Sequence, residues 1–381
     1  MSGQQYDLAV IGGGIQGAGI ALFAQRAGLK VVLLERDALA RGASGVNAGT
    51  LTMQMTRAAL IPYALKAHEM WLNASQWLGH NVGVVACDGL SLAFTEAEEQ
   101  LLEERGTARR AAGAPISLIS ATEALKIEPG INPDIRMASH CSIDGYANAY
   151  LTGLAYHRAL TESGVDLCEY TPVSGVEQVG SGYDLRVPNG VIHARQVALT
   201  GGVWIEPMLA WLGLHVPIKT LVNQLAVTER AAPLMRTVVG IASGLLSLKQ
   251  YPHGTVVIGG GWQGEGSRVQ NYHRSTHAST VGNARLATHA IPALCQSRIV
   301  RVWTGFEAET ADALPAIGPV PGFPGLWVCG SAHSGYTSAP YMARCLTQAI
   351  LGEEPEMPLF PIDRLLARPD AAPRNKEQDC P

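Results

Sequence analysis

The 381-residue sequence predicts an α/β protein with two domains, one of alternating strands and helices and one richer in β-sheet. Three observations lead to this fold class. The chain opens with an apolar strand, a glycine-rich turn and an alanine-rich helix. Two later segments, at 198–202 and near 326–351, repeat the strand–glycine–helix order, and the stretches between them are rich in strand-forming residues. Because these three segments are far apart in the chain, both domains are expected to be discontinuous in sequence.

The opening segment has the spacing of a dinucleotide-binding turn. A predicted strand at 6–11 enters the run Gly-Gly-Gly-Ile-Gln-Gly at 12–17, and the next predicted strand, 31–34, ends on Glu35. In this arrangement the positive end of the helix holds a diphosphate, and the acid accepts hydrogen bonds from a ribose. An acid at that place disfavours a 2′-phosphate, so NADP is the least favoured ligand, while FAD and NAD both remain open.

Each glycine of this turn has its own physical task. Gly12 permits the tight turn, Gly14 lets a pyrophosphate approach the backbone, and Gly17 lets the helix pack closely on the strand. An ordinary strand–turn–helix corner has no need for three glycines at these positions followed by an acid, so their combination favours a dinucleotide site.

The composition excludes several classes of protein. Hydrophobic residues make up 47% and charged residues 16%, and the formal charge of −4 offers no basic field for nucleic acid. No run of 18 apolar residues exists, so we expect no membrane span, and residues 1–5 lack the features of a signal peptide. The seven cysteines contain no CxxC pair, which favours reduced thiols in a cytoplasmic protein and no metal site.

The remaining pattern predicts the other elements and the domain boundaries. Helices are expected at 58–78, 95–110, 145–164 and 339–351, and strands at 167–170, 191–199, 222–228, 255–258 and 326–329. The nucleotide-binding domain is predicted to comprise 1–85, 145–215 and 303–365, and the second domain 86–144 and 216–302. A loose polar tail is predicted at 366–381.

Four further segments carry a family resemblance. They are Arg-Gly-Ala-Ser-Gly-Val-Asn-Ala-Gly-Thr at 41–50, Ala-Leu-Thr-Gly-Gly-Val-Trp at 198–204, Trp-Thr-Gly-Phe at 303–306, and Gly-Ser-Ala-His-Ser-Gly-Tyr-Thr at 330–337. Together with the opening turn, and in the same order, they resemble the D-amino-acid oxidase superfamily, which includes glycine oxidase, sarcosine oxidase and the flavin β subunits of heteromeric opine and hydroxyproline dehydrogenases. The resemblance covers nearly all of 6–352.

This resemblance favours FAD over NAD. It implies a Rossmann-like FAD-binding domain and a β-sheet-rich substrate domain, with the segment 44–50 along the flavin. The helix that starts near Ala339 then directs its positive end at the negative charge of reduced flavin. The cofactor contacts implied are Gly12, Gly14, Ile15, Gln16, Gly17, Glu35, Arg36, Ser44, Asn47, Ala48, Gly49, Thr50, Leu51, Val173, Thr200, Gly201, Gly202, Trp204, Gly305, Gly330, Ser331, His333, Ser334, Gly335, Tyr336 and Thr337.

One departure from the family pattern concerns the substrate. Where glycine-oxidase-like relatives carry Arg-Pro, and the Arg grips the substrate carboxylate, this sequence has Glu307-Ala308. An acid does not bind a carboxylate, so Glu307 is either a partner for a cationic group, such as an amine or a guanidinium, or a surface residue. The family's His of the last turn is replaced by Ser331, and His333 two residues on is either a flavin contact or a structural histidine.

Further candidates for the catalytic pocket are less distinctive. Thr50 ends the segment along the flavin, and Tyr251 and Trp262 flank a predicted hairpin that faces the flavin in relatives, although aromatic core packing explains both equally well. The same two alternatives hold for the polar residues near them, which are Lys249, Lys219 and Asn223.

The resemblance implies the reaction class. We expect FAD-dependent oxidation of a C–N bond, in which hydride passes from the substrate carbon to the flavin and the resulting imine is hydrolysed. Secondary amines, imino acids, opines and D-amino acids are the candidate substrates. We expect the chain to be the catalytic component of a larger complex whose other subunits accept electrons. The alternatives are a direct O₂-using oxidase and a non-catalytic flavin subunit that relays electrons.

Overall fold

The structure, a computed structural model, describes residues 5–330 and 335–366. Its strands are β1 Gln5–Ile11, β2 Val31–Leu34, β3 Thr50–Leu51, β4 Val85–Ala86, β5 Gly89–Ala93, β6 Ile116–Ser120, β7 Met137–Cys141, β8 Gly145–Tyr146, β9 Asp166–Cys168, β10 Gly175–Val179, β11 Gly182–Val187, β12 Gly190–Leu199, β13 Lys219–Thr228, β14 Val238–Ile241, β15 Leu246–Gln250, β16 Val256–Gly260, β17 Glu265–Ser267, β18 Tyr272–Arg274, β19 Ile299–Glu309, β20 Ala316–Pro319 and β21 Leu326–Gly330. Its α-helices are α1 Ile15–Arg26, α2 Ala43–Val46, α3 Ile61–Leu72, α4 Ala74–Trp77, α5 Glu96–Ala111, α6 Ala121–Ile127, α7 Ala149–Ser163, α8 Ile205–Ala210, α9 His277–Ala290 and α10 Ala339–Ile350.

The first large sheet carries the predicted nucleotide-binding strands. Its order is β10-β11-β12-β1-β2-β9, and β21 joins β12, with β20 beside β21. The pairs β1–β12, β1–β2, β2–β9 and β12–β21 are parallel, so the carboxyl ends of these strands meet at one edge. All residues of β2 are buried, as expected of a parallel strand covered on both faces.

The second large sheet is mostly antiparallel, in the order β19-β13-β16-β15-β14-β5-β7-β6. Its longest pairing joins β13 to β19, from Lys219 opposite Glu309 to Thr228 opposite Ile299. The predicted boundary at 303 therefore cuts through a strand of this sheet, and the chain returns to the first sheet only at β20.

Three helices cover one face of the first sheet. α1 packs against α7 and α10, and an added Cβ at Gly19 would lie 2.8 Å from the Ala343 side chain, so α1 and α10 are in close contact. The Asn148 side chain accepts a hydrogen bond from the Leu151 amide at the start of α7, and Gly164 ends that helix at φ +80°. These contacts close a continuous apolar core beneath the strands.

Several predicted elements need shorter bounds. The helix predicted over 58–78 is a 3₁₀ turn, α3 and α4 in succession, with the second break at Asn73. The helix predicted from 145 begins at Ala149, because Gly145–Tyr146 pairs with β3 and β4 instead. Among the described residues no helix has the length and apolar character needed to cross a membrane. The predicted tail lies, apart from residue 366, outside the described residues.

A buried carboxylate joins the segment after β3 to strand β5 of the second sheet. Asp144 is wholly buried, and its oxygens accept hydrogen bonds from the Thr52 hydroxyl and the Met53 amide, each at 2.7 Å. An added Cβ at Gly89 would lie 2.2 Å from an Asp144 oxygen, so the strand β5 approaches the carboxylate directly. Burial raises the pKa of Asp144 to about 6, although the hydrogen bonds and Arg109 favour its charged form.

This raised pKa predicts a pH-dependent stability. Because ionisation is harder in the folded than in the unfolded protein, the free energy of unfolding falls as pH rises from about 4 to 6, and this contribution is fully present only below pH 4. A shift of two units corresponds to a loss of about 3 kcal/mol. Urea denaturation at pH 4 and pH 7 should show this extra loss in the wild type and not in Asp144→Asn. The exposed substitution Asp134→Asn should keep the wild-type profile, and equal profiles for all three proteins would contradict the prediction.

Candidate active site

A cavity of about 1140 Å³ lies between the two sheets, at the carboxyl ends of β1, β2 and β12. It is larger than most small-molecule pockets, which have volumes of about 300–1,000 Å³. Residues from both sheets line it, so the first sheet forms one end and β13, β15, β16 and β19 form the other.

Backbone packing shapes the first end of the cavity. Gly12 has φ +115°, and an added Cβ there would lie 2.7 Å from the Thr200 carbonyl oxygen. At Gly17 an added Cβ would lie 2.1 Å from the Gly12 oxygen, so α1 rests directly on the turn that precedes it. The Thr200 hydroxyl donates a hydrogen bond to the Gly12 oxygen at 2.8 Å and ties β12 to the same corner.

The amino terminus of α1 faces this end with unused donors. Gly14, at its N-cap position, supplies no side chain, and the Ile15 amide donates to the Ser44 hydroxyl at 3.0 Å. The Nε2 atom of Gln16 is buried and has no hydrogen-bond partner within the described part of the chain. A helix start with free donors and a buried amide without a partner suits a diphosphate group.

The end of β2 carries the acid that is predicted to bind the ribose. One Glu35 oxygen accepts a hydrogen bond from the Gly13 amide at 2.6 Å, and the other accepts from the Asp37 amide at 2.9 Å. An ionised carboxylate has about four acceptor positions, so Glu35 can still receive ribose hydroxyls. Beside it the Arg36 guanidinium stacks 3.6 Å from the centre of the Trp204 ring, and burial lowers the pKa of Arg36.

The segment 44–50 is fixed by its own asparagine. The Asn47 side chain donates to the Ser44 carbonyl oxygen and accepts from the Gly49 amide, both at 2.6 Å. Gly49 has φ +71°, and an added Cβ would lie 2.0 Å from the Ala147 oxygen, so only glycine fits there. The loop that the resemblance places along the flavin is therefore held rigidly against the cavity.

An acidic residue occupies the far end. Glu307 of β19 lines the cavity, and the Asn223 side-chain amide of β13 donates a hydrogen bond to it. Among the described residues that line the cavity, guanidinium or ammonium groups belong to Arg36 and Arg41, both near the opening glycine turn. At the end that contains Glu307, the described lining residues therefore include this carboxylate, held by Asn223, and neither a lysine nor an arginine.

Most of the predicted cofactor contacts line the cavity, although their contact with FAD stays a prediction. They are Gly12, Gly14, Ile15, Gln16, Glu35, Arg36, Ser44, Asn47, Ala48, Gly49, Thr50, Val173, Thr200, Gly201, Gly202, Trp204, Gly305, Gly335, Tyr336 and Thr337. Gly17 and Gly330 act in close packing instead, and Leu51 is a core residue that is 1% exposed. Ser331, His333 and Ser334 lie outside the described residues.

The aromatic candidates do not reach the cavity surface. The Tyr251 hydroxyl donates to the Ala147 oxygen at 3.2 Å, behind Gly49, and the Trp262 ring is 53% exposed and lies against Gly282 of α9. Lys219 also faces away from the cavity and pairs with Glu309. Core and surface packing, the alternative stated for these residues, accounts for all three positions.

Several lining residues had no signal in the sequence. His273 lies on the short hairpin β17–β18, its Nδ1 atom is 2.8 Å from the Thr304 hydroxyl, and its ring contacts Phe306 edge-on. Short hairpins with exposed residues have no apolar alternation, so pattern analysis does not find them. Other lining residues outside the predicted set include Pro207, Met208, Trp211, Leu245, Ser247 and Tyr272.

Comparisons with known proteins agree with this geometry. The model of the DAO family, FAD dependent oxidoreductase, matches residues 7–349. The chain is 27% identical to the glycine oxidase of Geobacillus kaustophilus over 94% of this chain and 96% of that protein. It is 28% identical to one of the subunits of the opine oxidase of Rhizobium meliloti over 88% of this chain and 90% of that protein. The crystal structure of the Geobacillus kaustophilus glycine oxidase superposes with a TM-score of 0.87, at 25% identity, over 97% of this chain and all of that one.

The glycine contact at the base of α1 predicts how the cavity depends on close packing. Gly17→Ala places a methyl group on the Gly12 oxygen and moves the helix away, so the affinity for FAD should fall about tenfold or more, the equivalent of about 1–3 kcal/mol of overpacking. Fluorescence titration of the apoprotein with FAD measures this. Gly42→Ala is the control, because Gly42 lines the cavity, has φ −71°, and has open space around an added Cβ. Equal affinities for both variants would refute the packing argument.

Proposed function

This chain belongs to the DAO family of FAD-dependent oxidoreductases, and we propose that it oxidises the C–N bond of a secondary amine, imino acid or opine. FAD, when bound, supplies the acceptor for the hydride that leaves the substrate carbon. The free donors at the start of α1, the Gln16 amide and the Glu35 carboxylate are the groups that would hold its diphosphate and ribose. The rest of the work falls to residues that bind and orient the substrate.

Glu307 is the observation that carries this proposal. It lines the cavity at the end away from the glycine turn, and Asn223 holds its carboxylate by a hydrogen bond. A carboxylate binds an ammonium or a guanidinium group strongly through charge-assisted hydrogen bonds. A substrate with a positively charged group toward Glu307 therefore suits this end of the cavity better than a simple α-amino acid.

The charged group that meets Glu307 is not the reacting nitrogen. A neighbouring carboxylate raises the pKa of an amine and favours its protonated form, which has no lone pair to assist hydride departure. The reacting amine must be neutral and aligned, while a second cationic group anchors the molecule. An opine derived from arginine has both parts, a secondary amine and a guanidinium.

The relatives support a protein that works with partners. One of them is named as a subunit of an opine oxidase, and this chain covers 90% of its length. We propose that this chain is likewise the catalytic component of a larger complex in the cytoplasm and passes its electrons to another subunit. Direct reduction of O₂, and electron relay without substrate oxidation, are the competing outcomes of the next experiment.

Anaerobic mixing with a substrate panel tests the reaction class. The FAD-loaded chain should lose its visible flavin absorbance with an arginine-derived opine, and more slowly with a leucine-derived opine that has the same secondary amine and no cation. Glycine and D-alanine should leave the absorbance unchanged. Bleaching without peroxide formation on admitting air supports a dehydrogenase, and rapid peroxide formation supports an oxidase. If no compound bleaches the flavin, the result supports a subunit that relays electrons without oxidising a substrate.

The role of Glu307 has its own prediction. Glu307→Gln should raise KM for the arginine-derived opine roughly 10- to 100-fold with little change in kcat, because one charge-assisted hydrogen bond contributes about 1.5–3 kcal/mol. Steady-state kinetics with the leucine-derived opine should be unaffected. Glu309→Gln is the matched control, since Glu309 lies two residues along β19 and pairs with Arg57 and Lys219. Unchanged KM values in Glu307→Gln would remove this residue from substrate recognition.

A further inference from the structure

A buried lysine lies directly behind the cavity wall. Lys249 is 0% exposed, and its Nζ atom donates hydrogen bonds to the hydroxyls of Ser247, at 3.0 Å, and Thr50. Those two hydroxyls are themselves 2.7 Å apart, and both residues line the cavity. The amine is thus separated from the cavity by a single pair of hydroxyl groups.

The strand geometry explains why this amine points at the segment 44–50. Ser247, Lys249 and Tyr251 alternate along β15 and its end, so their side chains leave the same face of the second sheet. That face covers Gly49 and Thr50, since Tyr251 also lies 3.3 Å from the position of an added Cβ at Gly49. Lys249 is therefore fixed by the fold beside the loop that the family resemblance places along the flavin.

The surroundings of this amine provide hydroxyl acceptors, and no carboxylate among the described residues pairs with it. Among the described residues Lys249 forms no ion pair, and the charged or titratable group that faces it is the Cys87 thiol. Burial raises the pKa of Cys87 to about 12, and its other neighbours Asp144 and Asp88 act in the same direction, so the thiol is neutral. Burial lowers the pKa of Lys249 to about 7. Its charge is therefore sensitive to any new negative charge in the cavity.

We propose that Lys249 is a positioning residue that takes up a proton when FAD in this cavity is reduced, and that it acts on the cofactor through Thr50 and Ser247. Bound FAD would accept a hydride that carries both electrons of the substrate C–H bond, and this would add one negative charge to the cavity. Separately, the neutral amine of Lys249 gains one proton from solvent and becomes an ammonium. The new negative charge favours that protonation, and by linkage the ammonium favours the reduced cofactor.

This inference uses the FAD that the family requires and the expected position of Thr50, and it does not depend on the substrate. It predicts one extra proton per two electrons at pH values between the pKa of Lys249 in the oxidised protein and its higher pKa in the reduced protein. Each coupled proton changes the reduction equilibrium tenfold per pH unit, which is about 30 mV for a two-electron couple.

The test is the midpoint potential of the bound FAD, measured by spectroelectrochemical titration from pH 6 to pH 10. In the wild type the plot should become steeper by about 30 mV per pH unit from near pH 7. Lys249→Met should remove that change of slope. Lys219→Met, which deletes an exposed lysine of the same sheet, should keep it. A change of slope that survives in Lys249→Met would overturn the inference.

The substitution is expected to preserve the fold, because methionine replaces a buried amine by an apolar chain and leaves the Thr50–Ser247 hydrogen bond in place. Ser247→Ala gives an independent check. It removes a hydrogen-bond acceptor that favours the charged form of Lys249, so the change of slope should move to lower pH. A change of slope at the same pH as in the wild type would also contradict the inference. The titration uses a chemical reductant and needs no substrate. It can therefore be carried out even if none of the tested amines is oxidised.

Discussion

The contact between the first turn of α1 and the end of β12 is the constraint on which the rest of the structure depends. Gly17 lies so close to the Gly12 oxygen and to the Thr200 side chain that no Cβ fits between them. This close packing places the amino terminus of α1, which has no side-chain cap, directly at the cavity. Every later feature of the site is placed relative to this corner, from the Glu35 carboxylate to the loop at 44–50.

The second sheet completes the site through polar contacts that are mostly buried. Its strands bring Asn223 and Glu307 to one wall and Ser247 with Lys249 to another, while Asp144 holds the segment after β3 from below. Buried polar groups are costly unless they are hydrogen-bonded, so such clusters specify one relative placement of the two sheets. The chemistry lies where the two sheets meet, which is why neither sheet alone would form the cavity.

Sequence reasoning succeeded where the signal is local. The strand predicted at 31–34 has those bounds in the structure, and the helix predicted at 95–110 is α5, opened by a capping box of Thr95 and Glu98. The domain boundary predicted at 303 falls inside β19, which continues through that point in the second sheet. Trp262 is 53% exposed, and an aromatic residue beside a strand has no local sequence feature that distinguishes a pocket position from a surface position. His273 was missed for the converse reason, since its hairpin is short and exposed.

The sequence by itself predicts a dinucleotide-type cofactor and the residues that would hold its adenine end. Those depend on glycines and an acid whose spacing is set within one strand–helix–strand unit, so chain order alone carries the information. The tertiary structure decided which residues line the end of the cavity away from the glycine turn. Glu307, Asn223 and Ser247 come from β19, β13 and β15 of the second sheet, and the pairing of these strands with one another and with β16 brings them to one cavity, with Lys249 behind Ser247. Whether a lysine is a solvated surface charge or a buried amine behind two hydroxyls depends on packing, and packing between distant strands leaves no periodic trace in the sequence.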